Sequence, residues 1–144
     1  MALDFRGACT MLEVFDMPTS LAFYCDILGF KVIGSSGPVP RCGWALLRHG
    51  DVELMLNTQY EDERRPPIAD SARQAHHRDT CIYFGCADPD TAYEHLHDHG
   101  TNPRVPVVTS YGWKQVYVKD PDGYVLCFHR PATAEEKANA KTPP

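Results

Sequence analysis

The stretch FYCDILGF, residues 23–30, joins the end of a helix to the start of a strand. Apolar residues recur at helical spacing through it and just before it: Leu21, Tyr24, Cys25 and Leu28. Gly29 then supplies the residue that most often ends a helix, and an apolar run over residues 30–33 follows. The stretch therefore predicts an amphipathic helix followed directly by a short strand.

Strands are predicted on both sides of this helix. Residues 9–15 form a mostly apolar run, and Asp16 after it is suited to cap the helix. Beyond a Gly/Ser/Pro loop, the strands Trp44–Arg48 and Asp51–Asn57 flank His49-Gly50, a two-residue hairpin turn. The predicted order is β-α-β-β-β.

The second half of the chain repeats this order. Its predicted elements are a strand at 81–86, a helix capped by Asp88 and ended by Gly100, a strand at 104–108, and a hairpin of 113–119 with 124–130 across the turn DPDG. Equivalent positions in the two halves lie 71 to 73 residues apart. This regular spacing indicates an internal duplication.

The duplication predicts one domain over residues 1–131, made of two modules. The modules span about 8–57 and 80–131, and residues 58–79 link them without clear periodicity. His76 and His77 in this linker are expected to face solvent rather than a metal. The segment 132–144 is small, charged and proline-ended, and is predicted to be a flexible tail.

Composition excludes several classes of function. The chain has 144 residues, a net charge of −5, and no basic stripe, so we expect no nucleic-acid partner. No apolar run reaches the length of a membrane span, and the first residues lack the pattern of a signal peptide. We therefore expect a cytoplasmic protein without a membrane partner. The six cysteines include no Cys-x-x-Cys pair, so they are read as free thiols or metal ligands.

The sequence resembles the vicinal oxygen chelate superfamily of glyoxalases, bleomycin-resistance proteins and extradiol dioxygenases. Four stretches carry the resemblance: TMLEVFD at 10–16, FYCDILGF at 23–30, VELMLN at 52–57 and DPDGY at 120–124. The resemblance implies an α+β fold in which two βαβββ modules form a curved mixed sheet. That sheet makes a cup for a small molecule, completed by module pairing within the chain or across a homodimer.

In metal-dependent members of the superfamily, four positions in the cup hold a divalent ion. The resemblance places them at Cys9, Glu53, Cys81 and Cys127, and only Glu53 keeps a usual ligand type. We therefore expect no cofactor. The alternative is a divalent Zn, Ni or Fe ion on these residues, since zinc accepts thiolate and carboxylate ligands. The thiols could also be inert packing groups, or redox-active or nucleophilic ones.

Alternation along the strands predicts which side chains face the cup. Cys9, Met11 and Glu13 share one face of the first strand. The resemblance puts Glu13 where glutathione-dependent glyoxalases have an arginine, and this reversed charge favours a cationic ligand over glutathione.

The hairpin turn predicts Leu46 opposite Glu53 and Trp44 opposite Met55 on the same side. In the second module, Tyr83 shares a face with Cys81, Val125 and His129 share one with Cys127, and Trp113, Gln115 and Tyr117 line the other wall. The predicted ligand-binding residues are Glu13, Trp44, Leu46, Glu53, Met55, Tyr83, Trp113 and Tyr117. Aromatic rings beside carboxylates suit a flat or cationic molecule.

These expectations favour a small-molecule-binding protein of the bleomycin-resistance type, without a metal and acting as a homodimer. It would sequester a hydrophobic or cationic ligand. The alternative is a metal-dependent lyase of glyoxalase type, or a dioxygenase, with Glu53 and one or more thiolates as ligands. A third hypothesis is a regulatory or structural dimer whose cup is filled by its own side chains.

Overall fold

The chain folds as two compact units that repeat one α+β arrangement. The computed structural model describes residues 2–140, and the units divide between Ala69 and Asp70. In each unit a strand, a helix and three further strands follow in turn, as the duplicated sequence predicts. The α+β class and the mixed sheets are confirmed.

The first unit contains a four-stranded mixed sheet and one helical segment. Its elements are β1 (Thr10–Val14), α1 (Met17–Leu21), β2 (Lys31–Ser35), β3 (Trp44–His49) and β4 (Val52–Thr58). The strand order is β1-β4-β3-β2, with β1 parallel to β4 and the other pairs antiparallel. The predicted single helix continues beyond α1 as a π-helix over Ala22–Ile27.

The second unit has the same strand order with helices before and after it. Its elements are α2 (Ser71–His76), β5 (Cys81–Gly85), α3 (Pro89–Asp98), β6 (Val107–Val108), β7 (Trp113–Lys119), β8 (Val125–Pro131) and α4 (Ala134–Ala140). The sheet order is β5-β8-β7-β6, with β5 parallel to β8. Each strand of the first unit thus has a counterpart at the same place in the sheet of the second unit.

One face of each sheet forms the hydrophobic core of its unit. In the first unit the fully buried strand residues are Leu12, Val14, Ala45, Leu47, Leu54 and Leu56. In the second unit the core face buries Val116, Val118 and Leu126, with Leu96 from α3, while Cys127 is fully buried on the other face of β8. Because side chains alternate along a strand, burying one face turns the intervening residues to the opposite face. Each of these opposite faces carries candidate ligand-binding residues of its own unit.

The segment predicted as a plain linker is partly helical. It contains a 3₁₀ turn at Asp62–Arg64, then α2, then a second 3₁₀ turn at His77–Asp79. The expectation that His77 faces solvent is wrong. Its ring stacks on Tyr124 at 4.0 Å between centroids, and its Nδ1 lies 2.7 Å from the Asp122 carbonyl oxygen. The loop after β7 therefore anchors this end of the linker.

The segment predicted as a flexible tail also differs from expectation, because residues 134–140 form α4. Glu136 on this helix lies 2.7 Å from Arg130 and 2.9 Å from Lys114, and these ion pairs hold the helix to its own unit. Residues 141–144 of the predicted tail lie outside the described residues. Between residues 2 and 140, no helix has the length and apolar character needed to cross a membrane.

Candidate functional site

The open face of the first sheet carries the predicted residues of that module. Leu12 and Val14 point into the core, so Met11 and Glu13 lie on the opposite face of β1. By strand pairing, that face continues through Trp44, Leu46, Arg48, Glu53, Met55 and Asn57. The structure thus brings Glu13, Trp44, Leu46, Glu53 and Met55 onto one surface.

The pairing of β3 with β4 corrects the predicted hairpin register. The sequence predicts Leu46 opposite Glu53 and Trp44 opposite Met55. In the structure Leu46 is opposite Met55, and Arg48 is opposite Glu53. The prediction was wrong by two residues because His49 belongs to β3 and pairs with Val52, so the turn residues are Gly50 and Asp51 rather than His49 and Gly50. A shift of two keeps every side chain on its predicted face and brings an arginine beside Glu53.

Both carboxylates on this face are engaged. Arg48 donates from Nη2 to Glu53 Oε1 at 2.7 Å and from Nε to the same oxygen at 3.2 Å. Asn57 donates from Nδ2 to the two oxygens of Glu13 at 3.1 and 3.3 Å. The charge of Glu53 is therefore compensated by a guanidinium, whereas Asn57 binds Glu13 through a neutral amide.

The matching face of the second sheet is aromatic. Trp113 of β7 stacks on His129 of β8 at 4.7 Å between centroids and 22° between ring planes. Tyr83 of β5 contacts His129 at 5.1 Å and meets Tyr117 of β7 edge-on at 6.4 Å. We call these four rings the aromatic face. It unites the three predicted residues Tyr83, Trp113 and Tyr117 with His129.

A hydrogen-bonded chain of phenols runs along the aromatic face. Tyr117 donates to Gln115 Oε1 at 2.9 Å, and the hydroxyls of Tyr83 and Tyr117 lie within hydrogen-bond distance at 3.3 Å. Tyr111 donates to the same Gln115 oxygen at 3.4 Å. The hydrogen bond between the Tyr83 and Tyr117 hydroxyls, together with burial, raises the pKa of Tyr117 well above its usual value. The Tyr117 hydroxyl therefore stays protonated at physiological pH and can orient a ligand but not act as a base.

A cavity of about 780 Å³ opens beside the aromatic face, within the second unit. Tyr83 and Tyr117 form part of its wall, together with Cys81. The remaining polar residues of the wall are Arg78, Asp79, Asn102, Arg104 and Lys119. This volume is within the range of small-molecule sites, and the wall combines rings with charged groups.

The charged part of this cavity is absent from the residues predicted from the sequence. Lys119 is two residues after Tyr117, so strand alternation alone assigns it to the same face. Arg78 lies in the 3₁₀ turn before β5, and Arg104 lies in the loop before β6. No periodic pattern covers those two segments, so the sequence carries no signal that places their side chains at the sheet.

The residues at the four superfamily metal positions do not fit a divalent ion. Glu53 is held by the Arg48 guanidinium, which repels a cation. Burial raises the pKa of Cys127 to about 11, and burial also raises the pKa values of Cys9 and Cys81. Within residues 2–140, no group of three or more His, Cys, Asp or Glu side chains could hold a metal ion.

The fold and the open sheet faces together define the class of protein. Residues 8–128 match the Glyoxalase/Bleomycin resistance protein/Dioxygenase superfamily. This match covers most of the chain, and the chain belongs to that superfamily.

Individual relatives are similar in sequence or in fold. The uncharacterized protein YaeR of Escherichia coli strain K12 is 32% identical over 120 residues, covering 77% of this chain and 84% of YaeR. The bleomycin resistance determinant encoded on transposon Tn5 has a TM-score of 0.64 at 20% identity, covering 90% of this chain and all of its own. TnmS3, an antibiotic binding protein from Streptomyces sp. CB03234, has a TM-score of 0.65 at 20% identity, covering 92% and 99%. At these identities the two structures show a shared fold.

Proposed function

We propose that this chain is a small-molecule-binding protein that sequesters a flat, hydrophobic ligand without a metal ion. The observation that carries the proposal is the aromatic face, on which four rings contact one another on the open side of the second sheet. Superfamily members described as a bleomycin resistance determinant and an antibiotic binding protein support it.

The aromatic face is suited to stacking rather than to packing in a core. Tyr83 is 50% exposed, and Trp113, Tyr117 and His129 are partly exposed. A planar ligand that covers these rings removes apolar surface from water, at roughly 25 cal/mol per Å². The Gln115–Tyr117–Tyr83 chain fixes the positions of the phenols beforehand, so that little ordering is left for ligand binding.

The contacts observed on the first sheet support a cationic ligand less strongly than the sequence of its strands does. Glu53 is paired with Arg48, and Glu13 accepts hydrogen bonds from Asn57. Trp44 and Leu46 remain beside it as half-buried apolar groups. We therefore propose a hydrophobic ligand first, with Glu13 as the position at which a positive group would be tolerated.

The alternative, a metal-dependent lyase or dioxygenase, has less support from the donor groups. An extradiol dioxygenase needs two histidines and a carboxylate for Fe(II), and the four superfamily positions of this chain hold no histidine. A glyoxalase-type reaction needs a carboxylate base, and Cys127 stands at that position with its pKa raised to about 11. The donor groups therefore favour ligand binding over a metal-dependent reaction.

The proposal includes a homodimer, as the superfamily resemblance implies. Met11 on the open face of the first sheet is 47% exposed, which is high for a large apolar side chain. Light scattering coupled to size exclusion should give a mass near twice the 16.2 kDa of one chain. A mass equal to one chain at micromolar concentration would contradict this part of the proposal.

The two tryptophans provide the test of ligand binding, because Trp44 lies on the first open face and Trp113 on the second. The flat neutral probe 1-naphthalenemethanol is titrated into the wild type, Trp44→Phe and Trp113→Ala. We expect saturable quenching in the wild type and in Trp44→Phe, where Trp113 is the reporter. Calorimetry of Trp113→Ala should show binding weakened about tenfold, since a stacking partner and its buried area are lost.

Tyr93→Ala is the matched control for Trp113→Ala. Tyr93 lies on α3 and contacts His97 there, so its loss should leave the affinity unchanged. Excess chelator should also leave the affinity unchanged. The proposal fails if no probe binding is detected, or if chelation abolishes it and a divalent ion restores it.

A further inference from the structure

The cavity beside the aromatic face has a charge of its own. Arg78, Arg104 and Lys119 line it, and Asp79 is the single carboxylate among its lining residues. We call this site the cationic cavity. A local excess of positive charge is unexpected in a chain whose net charge is −5. The cluster of positive charge is therefore a local feature of this cavity and not a consequence of the overall composition.

Three separate segments bring the cations together. Lys119 ends β7 on the same face as Tyr117. The Arg104 backbone N–H donates to the Tyr117 carbonyl oxygen at 2.8 Å, which fixes the loop before β6 against that strand. Arg78 follows His77, whose ring is stacked on Tyr124. Each cation is thus attached to a position held by backbone or ring contacts.

The three cations are not neutralised by ion pairs among the described residues. Among the described residues, none of them makes an ion pair within 4.0 Å, whereas Lys114 and Arg130 in the same unit both pair with Glu136. Like charges brought near one another repel and cost stability. An arrangement of that kind is favourable when an anion occupies the space between the charges.

We propose that the cationic cavity binds an anionic group, a carboxylate or a phosphate, carried by the ligand whose ring stacks on the aromatic face. The inference rests on the proposed function and makes it more specific. Tyr83 and Tyr117 belong both to the aromatic face and to the cavity wall, so a ring and its acidic substituent would occupy adjoining positions.

The donors present fit such a group. Arginine presents a planar fork that matches the two oxygens of a carboxylate or phosphate, and lysine adds a point charge. Asn102 on the same wall can donate from its amide. The ligand class is therefore an aromatic acid, and a cationic aromatic is disfavoured at this unit.

A matched series of probes tests the inference. The probes share a naphthalene ring and differ in charge: 1-naphthalenemethanol, 1-naphthylmethylammonium, 1-naphthaleneacetate and 1-naphthyl phosphate. Calorimetry on the full chain at low salt should show at least one acid binding about tenfold more tightly than the neutral alcohol. The two acids separate a carboxylate preference from a phosphate preference. The advantage should shrink as salt is raised, because the cations are exposed.

Variants then assign the effect to the cavity. Arg104→Gln and Lys119→Gln should each reduce the advantage of the acid about threefold or more and leave binding of the neutral alcohol unchanged. Arg73→Gln and Lys31→Gln remove exposed cations that do not line the cavity. They should change neither the advantage of the acid nor the binding of the neutral alcohol. Arg104→Lys should retain part of the advantage. Thermal melts of all variants establish that they are folded.

The outcomes separate the inference from the proposed function. If the alcohol binds and neither acid binds more tightly than it does, the inference is overturned while the proposed function stands. An equal loss in Lys31→Gln would also overturn it, since the effect would then be one of net charge. If no naphthalene probe binds at all, both are overturned.

Discussion

Arg48 holds Glu53 across β3 and β4, with Nη2 2.7 Å and Nε 3.2 Å from one carboxylate oxygen. Glu53 is the one position at which this chain retains a ligand type usual for metal-dependent members of its superfamily. A guanidinium beside a carboxylate lowers the local affinity for a divalent cation, because the two cations repel each other. The pair therefore makes Glu53 a poorer ligand for a divalent cation.

This relationship predicts the metal content of the purified protein. Protein prepared without chelator should contain far less than one equivalent of Zn, Ni or Fe per chain by elemental analysis. Adding these ions should not raise the melting temperature, since only a ligand that binds the folded state does so. Near-stoichiometric metal that disappears in Glu53→Ala but not in Glu63→Ala, an exposed carboxylate outside the sheet, would contradict this prediction.

The sequence predicts the faces of the strands better than their pairing. Alternation assigns Glu13, Glu53 and Trp113 correctly because the two-residue period depends only on local backbone geometry. The register of β3 against β4 depends on which two residues form the turn, and Gly50 can be the second turn residue, as predicted, or the first, as in the structure. The Arg48–Glu53 pair, and with it the charge of the first open face, follows only from the observed register.

Features built by irregular segments could not be predicted in the same way. Arg78 and Arg104 reach the cavity from a 3₁₀ turn and a loop, where no period relates sequence to direction. The helix α4 is short and charged, and its contacts with Arg130 and Lys114 are tertiary. Isolated helices of this length are not stable in water, so the tail sequence alone favours disorder.

The Cys127 thiol should be unreactive in the folded protein. It is buried on the aromatic face, and burial raises its pKa to about 11, although a hydrogen bond with Tyr117 opposes the shift. At pH 7.5 the thiolate fraction is then well below one part in a thousand, so alkylation by iodoacetamide should be at least about 100-fold slower than in urea. Mass spectrometry of peptides from timed alkylation measures this rate.

The other thiols provide the comparison for Cys127. Cys9 is exposed, so reagent reaches it even though burial and the Glu53 charge raise its pKa. Cys9 should therefore be modified before Cys127 in the native protein, and both should react alike after unfolding. Fast native labelling of Cys127 would instead support the hypothesis of a nucleophilic or redox-active thiol.

Gly123→Ala should strongly destabilise the protein. Gly123 has a φ of 89°, and a Cβ there would collide with the carbonyl oxygen of Gln74 on α2. Backbone atoms on both sides leave no flexible side chain to move aside, so we expect a loss of about 3 kcal/mol in the free energy of unfolding. Urea denaturation followed by circular dichroism measures it.

Gly100→Ala isolates the conformational part of that loss. Gly100 has a φ of 80°, but a Cβ there would meet nothing within 4 Å. The substitution should cost only the strain of a left-handed alanine, about 1–2 kcal/mol. Equal losses in the two variants would show that the contact between α2 and the loop after β7 does not constrain position 123.

Glu136→Gln should weaken the docking of α4 in a pH-dependent way. Glu136 lies 2.7 Å from Arg130 and 2.9 Å from Lys114, and it accepts a hydrogen bond from the Thr133 N–H at 2.9 Å. The hydrogen bonds from Arg130 and Lys114 hold the Glu136 pKa well below its usual range. We expect the melting temperature of the variant to fall by about 2–4 °C at pH 7, a modest effect because the pairs are near the surface.

The sign of the pH dependence follows from the lowered pKa. The folded protein binds this proton less readily than the unfolded chain, so the stabilisation is complete above the ordinary glutamate pKa and is lost as the pH falls toward the folded pKa. The difference in melting temperature between wild type and Glu136→Gln should therefore be constant above about pH 6 and should shrink progressively below about pH 4.5. Glu135→Gln, one residue away and exposed on the same helix, should show no such difference at any pH. A difference for Glu136→Gln that stayed constant down to about pH 3 would mean that the amide, rather than the lost charge, perturbs the helix.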